Sequence, residues 1–287
     1  MKSTNKLIIG TVQFGLNYGI NNQNGKVTQN EVNSILSYAN VSGVKMIDTS
    51  YAYGTSEHAI GSVLKQNPLP FNIVSKYPRS EKSVSAVFKE SLTRLGRENL
   101  YGYLVHHFDF YQNKPQIWQD FVELRSEGKV SKIGFSLYTV DQLQYLLDNN
   151  VDFDLLQFPY NIFDRQFETY FPELKKRGVE IHTRSVFLQG LFFKNITAVK
   201  EKLHPLKPYL EKLHSYCLLR EIKIEQLALN YVINNSFIDG VVIGVDTVEQ
   251  LKSNVDVLNF KIIDADIDFI DSLNIKEKEL LNPVNWN

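Results

Sequence analysis

The chain has one cysteine, Cys217, and therefore cannot form an internal disulfide. That cysteine lies in the apolar helical stretch LHSYCLLR without a local histidine or aspartate motif, which favours a packed thiol over a nucleophile. No apolar run approaches the roughly 18 residues of a membrane span, and the run near the N-terminus is too short for a signal peptide. We therefore expect a cytoplasmic protein that has no membrane partner.

The sequence also lacks an excess of charge of either sign. Its 31 basic and 32 acidic residues leave a net charge of −1, and the basic residues form no block. Nucleic acid and anionic membranes are therefore poor candidates for a partner. With 43% hydrophobic residues the chain can bury a sizeable core. A small molecule is the expected partner, and the sequence does not indicate an oligomeric state.

A third missing feature is the G-x-G-x-x-G fingerprint after the first predicted strand, LIIG. Eight short apolar runs alternate with about eight stretches of helical spacing, and strict alternation favours parallel strands with right-handed crossovers. Eight units within 287 residues predict an α/β fold, a closed (β/α)8 TIM barrel forming a single domain over residues 1–287. An open doubly wound sheet is the alternative, but it normally carries the missing fingerprint. Gly96 and Gly128 are predicted to end helices.

Polar residues stand where the predicted strands end, and this is the rim at which barrel enzymes carry their chemistry. Strand two ends in Asp48, strand three in Lys76 and strand four in His106 and His107. Neighbouring strands lie about 4.8 Å apart, so these side chains can reach one another. The later strands end in Ser136, Gln157 and Arg184.

Tyr53 follows Asp48 on the next loop and can approach the same lysine. A phenol is a poor proton donor at neutral pH, and a nearby ammonium is expected to lower its pKa. Asp48 would keep Lys76 charged and in place, while a histidine could hydrogen-bond a substrate oxygen. The set predicts proton donation to a carbonyl oxygen while hydride arrives at the carbon.

Each of these residues also has an ordinary structural interpretation. Asp48 alone could cap a loop, Lys76 could reach solvent, and Tyr53 could simply pack. An aspartate and two histidines could bind a metal, but the next strand ends offer Ser136 and Gln157 rather than further ligands, so no metal site is predicted. Lys76 could instead form a Schiff base in a barrel lyase or isomerase.

The motifs resemble those of the aldo-keto reductase superfamily over nearly the whole chain. DTSYAYG is similar to the family element D-x-x-x-x-Y-G, IVSKYP to its lysine segment, and YLVHH to its Y-L-I-H-W segment. The resemblance implies reversible NAD(P)H-dependent reduction of aldehydes or ketones, with Asp48, Tyr53, Lys76 and His106 as catalytic residues. A barrel that binds NAD(P)H as a sensor, with little turnover, is the alternative function.

The resemblance also implies a set of cofactor-binding residues. In GFSL the family serine is kept as Ser136, whereas its asparagine is Leu137. The family's aromatic residue that stacks on the nicotinamide is replaced by Arg184 in HTRSVFLQG. NADP(H) is expected and NAD(H) is the rival, because Asp246 would repel a 2′-phosphate unless Lys252 compensates. The expected cofactor-binding residues are Gly10, Thr11, Ser136, Gln157, Arg184, Gly244, Asp246, Gln250 and Asn254.

The substrate pocket is expected to use residues of the loops around this rim. The first loop, TVQFGLNYGI, contributes Phe14 and Tyr18, and the loop after strand seven contributes Phe187. His107 occupies the position of the family tryptophan. Together with Arg184 it favours a polar or anionic carbonyl substrate such as a sugar derivative.

Overall fold

The computed structural model describes residues 6–20, 22 and 25–286. Its centre is a closed barrel of eight parallel strands in chain order, with the eighth strand bonded to the first. The predicted barrel is thus confirmed, and the open sheet is ruled out because this sheet closes on itself. The strands are β1 Leu7–Gly10, β2 Met46–Asp48, β3 Asn72–Tyr77, β4 Leu100–Val105, β5 Val130–Ser136, β6 Leu155–Pro159, β7 Glu180–Arg184 and β8 Gly240–Gly244.

Helices cover the outside of the barrel and follow each strand except where short 3-10 turns intervene. The helices are α1 Val12–Gly15, α2 Gln29–Val41, α3 Ser56–Gln66, α4 Val84–Leu95, α5 Phe108–Asn113, α6 Ile117–Ser126, α7 Val140–Asp148, α8 Phe171–Lys176, α9 Lys207–Leu219, α10 Ile224–Ile233, α11 Val248–Asp256 and α12 Asp264–Ser272. The expected number of about eight was too low, because several crossovers contain two helices. None of the helices in the described ranges is long and apolar enough to cross a membrane.

Local sequence signals fix several helix ends. Gly96 ends α4 with φ of 64°, and Gly128 follows α6 with φ of 69°, so both predicted helix-ending glycines are confirmed. At the start of α7, Thr139 and Gln142 form a reciprocal capping box. These caps satisfy backbone groups that a helix leaves unpaired at its ends.

The barrel interior is arranged in layers, and this order positions the polar site. Val74, Leu104 and Leu155 form a small buried cluster contributed by three strands. Successive side chains of a strand alternate between its two faces, so the residues two positions further along face the same interior. Those residues are Lys76, His106 and Gln157. An apolar layer therefore supports a polar layer at the carboxyl ends of the strands.

Cys217 is buried in a second hydrophobic cluster formed mainly by α9, α10 and the C-terminal segments. Burial raises the pKa of its thiol to about 12, so the group stays protonated at neutral pH. The predicted packed thiol is confirmed.

Candidate active site

A cavity of about 810 Å³ opens at the carboxyl ends of the strands. It gathers residues that the sequence distributes over more than 240 positions, from β1 to the helix after β8. The sequence-predicted residues in its lining are Gly10, Thr11, Tyr18, Asp48, Tyr53, His106, Ser136, Gln157, Arg184, Phe187, Gly244, Asp246, Gln250 and Asn254.

Asp48 and Lys76 form a buried ion pair at the base of this cavity. The Lys76 ammonium donates to Asp48 Oδ1 at 2.5 Å and to the Thr49 carbonyl at 3.0 Å. Gln157 donates its side-chain amide to the other carboxylate oxygen at 2.7 Å. Burial lowers the pKa of Lys76, and Asp48 opposes that shift. The carboxylate therefore holds both the lysine and Gln157 in fixed positions.

Tyr53 reaches the same group from the loop after β2. The Lys76 ammonium lies 5.4 Å from the centroid of its ring, and the ring meets His106 edge-on with centroids 5.6 Å apart. Burial, reinforced by the Asp48 carboxylate, raises the pKa of the phenol well above its ordinary value. The expectation of a lowered pKa was wrong, because desolvation and the Asp48 carboxylate raise it. The phenol keeps its proton at neutral pH.

His106 is held through both its backbone and its ring. Its amide donates to the Tyr77 carbonyl at 3.0 Å, and Nδ1 lies 3.0 Å from the Ser50 hydroxyl. Burial is the main cause that keeps the pKa of His106 well below its usual range, and the Lys76 cation is the next largest cause. The ring is therefore neutral. When Ser50 donates to Nδ1, the ring proton is on Nε2, where it can be donated to a ligand oxygen. The sequence analysis missed Ser50, although it lies within DTSYAYG.

The lowered pKa of His106 has a consequence for stability. We expect the free energy of unfolding to fall as the pH drops below about 6.5, because the unfolded chain then binds a proton that the folded site refuses. One such proton changes stability by up to about 1.4 kcal/mol per pH unit until the pH reaches the folded pKa. His106→Gln should remove this part of the slope in urea unfolding measured between about pH 5 and 8. An identical slope in the variant would contradict the assignment.

Gln13 is a second residue that the sequence analysis missed. It belongs to α1, lines the cavity and is buried, yet its Oε1 has no hydrogen-bond partner in the described part of the chain. A Cβ on Gly244 would lie 2.5 Å from Gln13 Nε2, so only glycine lets the two approach. An unpaired buried acceptor beside glycine backbone is suited to a ligand that brings a donor.

Arg184 is the last residue of β7 and forms part of the cavity wall. Its guanidinium lies 4.1 Å from the centroid of the Tyr138 ring and donates to the Leu137 carbonyl at 3.0 Å. Leu137, at the position of the family asparagine, turns its side chain into the core. Beyond Arg184 the backbone has positive φ at Ser185 and Gln189, and Gln189 donates to the Tyr18 hydroxyl. Such φ values in residues other than glycine cost energy, and they fix the shape of this rim.

The opposite end of the cavity is formed by β8 and the start of α11. Gln250 accepts from the Asp246 amide at 2.7 Å, and both residues line the cavity together with Asn254. Lys252 does not belong to this lining: its ammonium lies 5.7 Å from the centroid of the Tyr38 ring and 4.0 Å from Glu249. In this arrangement Lys252 forms no ion pair with Asp246.

Two residues expected in the substrate pocket lie outside the cavity lining. Phe14 is 1% exposed and packs in the main hydrophobic core, because α1 turns its side chain inward. His107 lies beside His106, with ring centroids 4.6 Å apart, but does not line the cavity. Tyr18 and Phe187 do line it, as does Trp286 near the C-terminus.

Comparison with known proteins agrees with this geometry. A model of the Aldo/keto reductase family matches residues 6–275. The NADH-specific methylglyoxal reductase of Escherichia coli K12 is 26% identical over 270 residues, covering 78% of this chain and 81% of its own. L-galactose dehydrogenase of Arabidopsis thaliana is 29% identical over 238 residues, covering 74% of this chain and 73% of its own.

Among solved structures, the holo form of the aldo-keto reductase AKR11C1 from Bacillus halodurans superimposes with a TM-score of 0.74. The alignment covers 95% of this chain and 94% of that one at 21% identity, which supports the fold. The family match extends over nearly all of the described chain, and the barrel carries its polar cavity where such enzymes carry their active sites. The chain belongs to the aldo/keto reductase family of oxidoreductases.

Proposed function

We propose that this protein reduces an aldehyde or ketone to an alcohol with NAD(P)H as reductant and with Tyr53 as the proton donor. The observation that supports the proposal is the buried Asp48–Lys76 pair beside the Tyr53 phenol and the neutral His106 ring. All four residues lie at or beneath one cavity at the carboxyl ends of the strands.

The bound cofactor would supply a hydride to the carbonyl carbon. The carbonyl oxygen would accept a hydrogen bond from His106 Nε2 and take the proton of Tyr53 as the C=O double bond becomes a C–O single bond. The O–H bond of Tyr53 breaks in this step, and the resulting phenolate is stabilised by the nearby Lys76 cation. A proton from solvent then restores the phenol. Lys76 thus acts on the charge that develops during the reaction.

The residues of the cavity fit a nicotinamide cofactor. With its amide group engaged by Asp48, Gln157 presents Oε1 as an acceptor for a carboxamide N–H. Gln13 adds an unpaired acceptor, and Gly10 and Gly244 keep the nearby backbone accessible. Asp246, Gln250 and Asn254 would hold the adenosine end. Among the lining residues of β8, α11 and the loop between them there is one carboxylate, Asp246, and no cation. This charge pattern favours NAD(H) over the NADP(H) expected from sequence.

The cofactor preference can be tested directly. We expect wild type to bind NADH at least about tenfold more tightly than NADPH, because a carboxylate repels the additional phosphate. Asp246→Arg should reverse the preference, measured by quenching of Trp286 fluorescence from the cavity wall. Glu249→Arg is the matched control, since Glu249 lies three residues further along, in the first turn of α11, but points to solvent. Tighter binding of NADPH by wild type would contradict the assignment.

The substrate class is suggested by the relatives. Their names describe reduction of methylglyoxal and glyoxal and dehydrogenation of L-galactose. We propose that this chain likewise acts on a small polar carbonyl compound, consistent with the polar side chains at the reactive end of the cavity. The test is NADH and NADPH oxidation with methylglyoxal, glyoxal and aldose sugars. Cofactor binding without turnover of any carbonyl compound would favour a sensor instead.

A further inference from the structure

Arg184 is a cation at the reactive end of the cavity that forms no ion pair with a carboxylate of the described residues. Among the described residues its guanidinium makes one hydrogen bond, to the Leu137 carbonyl, and no ion pair. Lys76, in contrast, is paired with Asp48 at 2.5 Å, and the His106 ring is neutral. The buried Asp164 carboxylate interacts with Arg184 without an ion-pair contact. Arg184 is therefore the cation of this end of the cavity that has no directly paired carboxylate.

The position of Arg184 is fixed by its neighbours. Tyr138 supports the guanidinium on one side at 4.1 Å from the ring centroid, and both residues line the cavity. The positive charge reaches the reaction centre, since it opposes the raised pKa of Tyr53 and contributes to the lowered pKa values of Lys76 and His106. A hydride donor that reaches a carbonyl carbon beside Tyr53 must lie within the range of the same charge.

The charge of a nicotinamide ring depends on its oxidation state. The dihydronicotinamide ring is neutral, and loss of a hydride, which is one proton with two electrons, leaves the ring with a positive charge. An aromatic side chain at position 184 would attract that cation through its π face. A guanidinium at the same position repels it.

We propose that Arg184 makes the cofactor site selective for the reduced cofactor by repelling the positively charged oxidised ring. The inference rests on the proposed function, because it requires the nicotinamide to lie at this end of the cavity. Two unit charges a few ångströms apart interact strongly enough, even at an effective dielectric constant near 20, to change a binding ratio by about tenfold or more. Oxidised cofactor would therefore leave readily after each reduction.

The test measures dissociation constants by calorimetry for the reduced and the oxidised cofactor, without substrate. We expect the ratio of oxidised to reduced dissociation constants to fall at least about tenfold in Arg184→Gln and further in Arg184→Tyr. Arg184→Lys should keep the wild-type ratio because it keeps the charge. Lys200→Gln removes another cation of the cavity lining and serves as the control. It should alter both constants alike, since Lys200 lies between β7 and α9, just before the 3-10 helix Glu201–Leu206, and makes no ion pair or hydrogen bond with the residues around Tyr53.

The outcomes separate the inference from the proposed function. Suppose that wild type binds the reduced cofactor, and that the ratio of oxidised to reduced dissociation constants in Arg184→Gln, Arg184→Tyr and Arg184→Lys equals that of wild type. The role of Arg184 is then overturned, and the proposed function stands. If wild type binds neither form, both are overturned. The Gln and Tyr variants differ in shape but share the loss of charge, so a common decrease in the ratio identifies charge as the cause. Thermal melting of each variant verifies that it is folded.

Discussion

Tyr53→Phe should lower kcat for carbonyl reduction by about 10²- to 10⁴-fold, the range expected when a general acid is removed. The variant loses only one oxygen atom, which is the proposed source of the proton for the carbonyl oxygen. The Asp48–Lys76 pair and the His106 ring remain in place, so binding of the reduced cofactor should change little. Stopped-flow measurement of a single turnover would assign the loss to the chemical step.

Tyr145→Phe is the matched control for this experiment. Tyr145 packs edge-on against Phe108 on the outside of the barrel and does not line the cavity. Its loss of a phenol oxygen should leave kcat within about twofold of wild type. Equal rates for wild type and Tyr53→Phe would show that the proton comes from elsewhere, and the assignment of Tyr53 would then be withdrawn.

The fold could be predicted because the periodicity of the sequence is strong. Each predicted strand appears in the structure within a few residues of its expected position, and the eight close into the expected barrel. Closure brings the ends of neighbouring strands together, so Asp48, Lys76 and His106 meet for reasons of topology alone. The number of helices was less predictable, because a crossover can bend within one apolar stretch, as between α5 and α6.

Side-chain direction and solvation could not be predicted in the same way. Phe14 was expected in the substrate pocket, but the short helix α1 turns it into the core, and loop periodicity does not give that rotation. The pKa of Tyr53 is raised mainly because the fold excludes solvent from the phenol, and the amount of solvent excluded cannot be deduced from the sequence. Ser50 and Gln13 could be identified only from their contacts in the folded structure, since neither residue has a distinctive spacing in the sequence.

The site has two parts: the Asp48–Lys76 ion pair, whose charges are fixed in position, and the Tyr53 phenol, whose charge changes in the proposed reaction. Burial and the Asp48 carboxylate keep the proton on the Tyr53 phenol, while Lys76 stays paired with Asp48. In the proposed reaction Tyr53 gives up that proton, and its new negative charge would face an ammonium already held in position. Preorganised charge of this kind costs no rearrangement during the reaction. The ion pair is therefore expected to matter more for the transition state than for the resting pKa.

Lys76→Met should reduce both stability and activity, and a second substitution should separate the two effects. The single variant leaves the buried Asp48 carboxylate without its cation, which should lower the free energy of unfolding by about 3–5 kcal/mol. Asp48→Asn combined with Lys76→Met replaces the ion pair by neutral groups of similar size. The combined variant should regain most of the lost stability, because Gln157 can still donate to the carboxamide oxygen of Asn at this position.

The double variant should nevertheless remain slow, with kcat at least about 100-fold below wild type, because the Lys76 cation beside the Tyr53 phenolate is missing. Urea unfolding gives the stability, and single-turnover kinetics at saturating cofactor gives the rate of the chemical step. Recovery of stability without recovery of rate assigns the lysine to the reaction. Recovery of both would mean that the ion pair only maintains the fold, and that Tyr53 needs no neighbouring cation to release its proton.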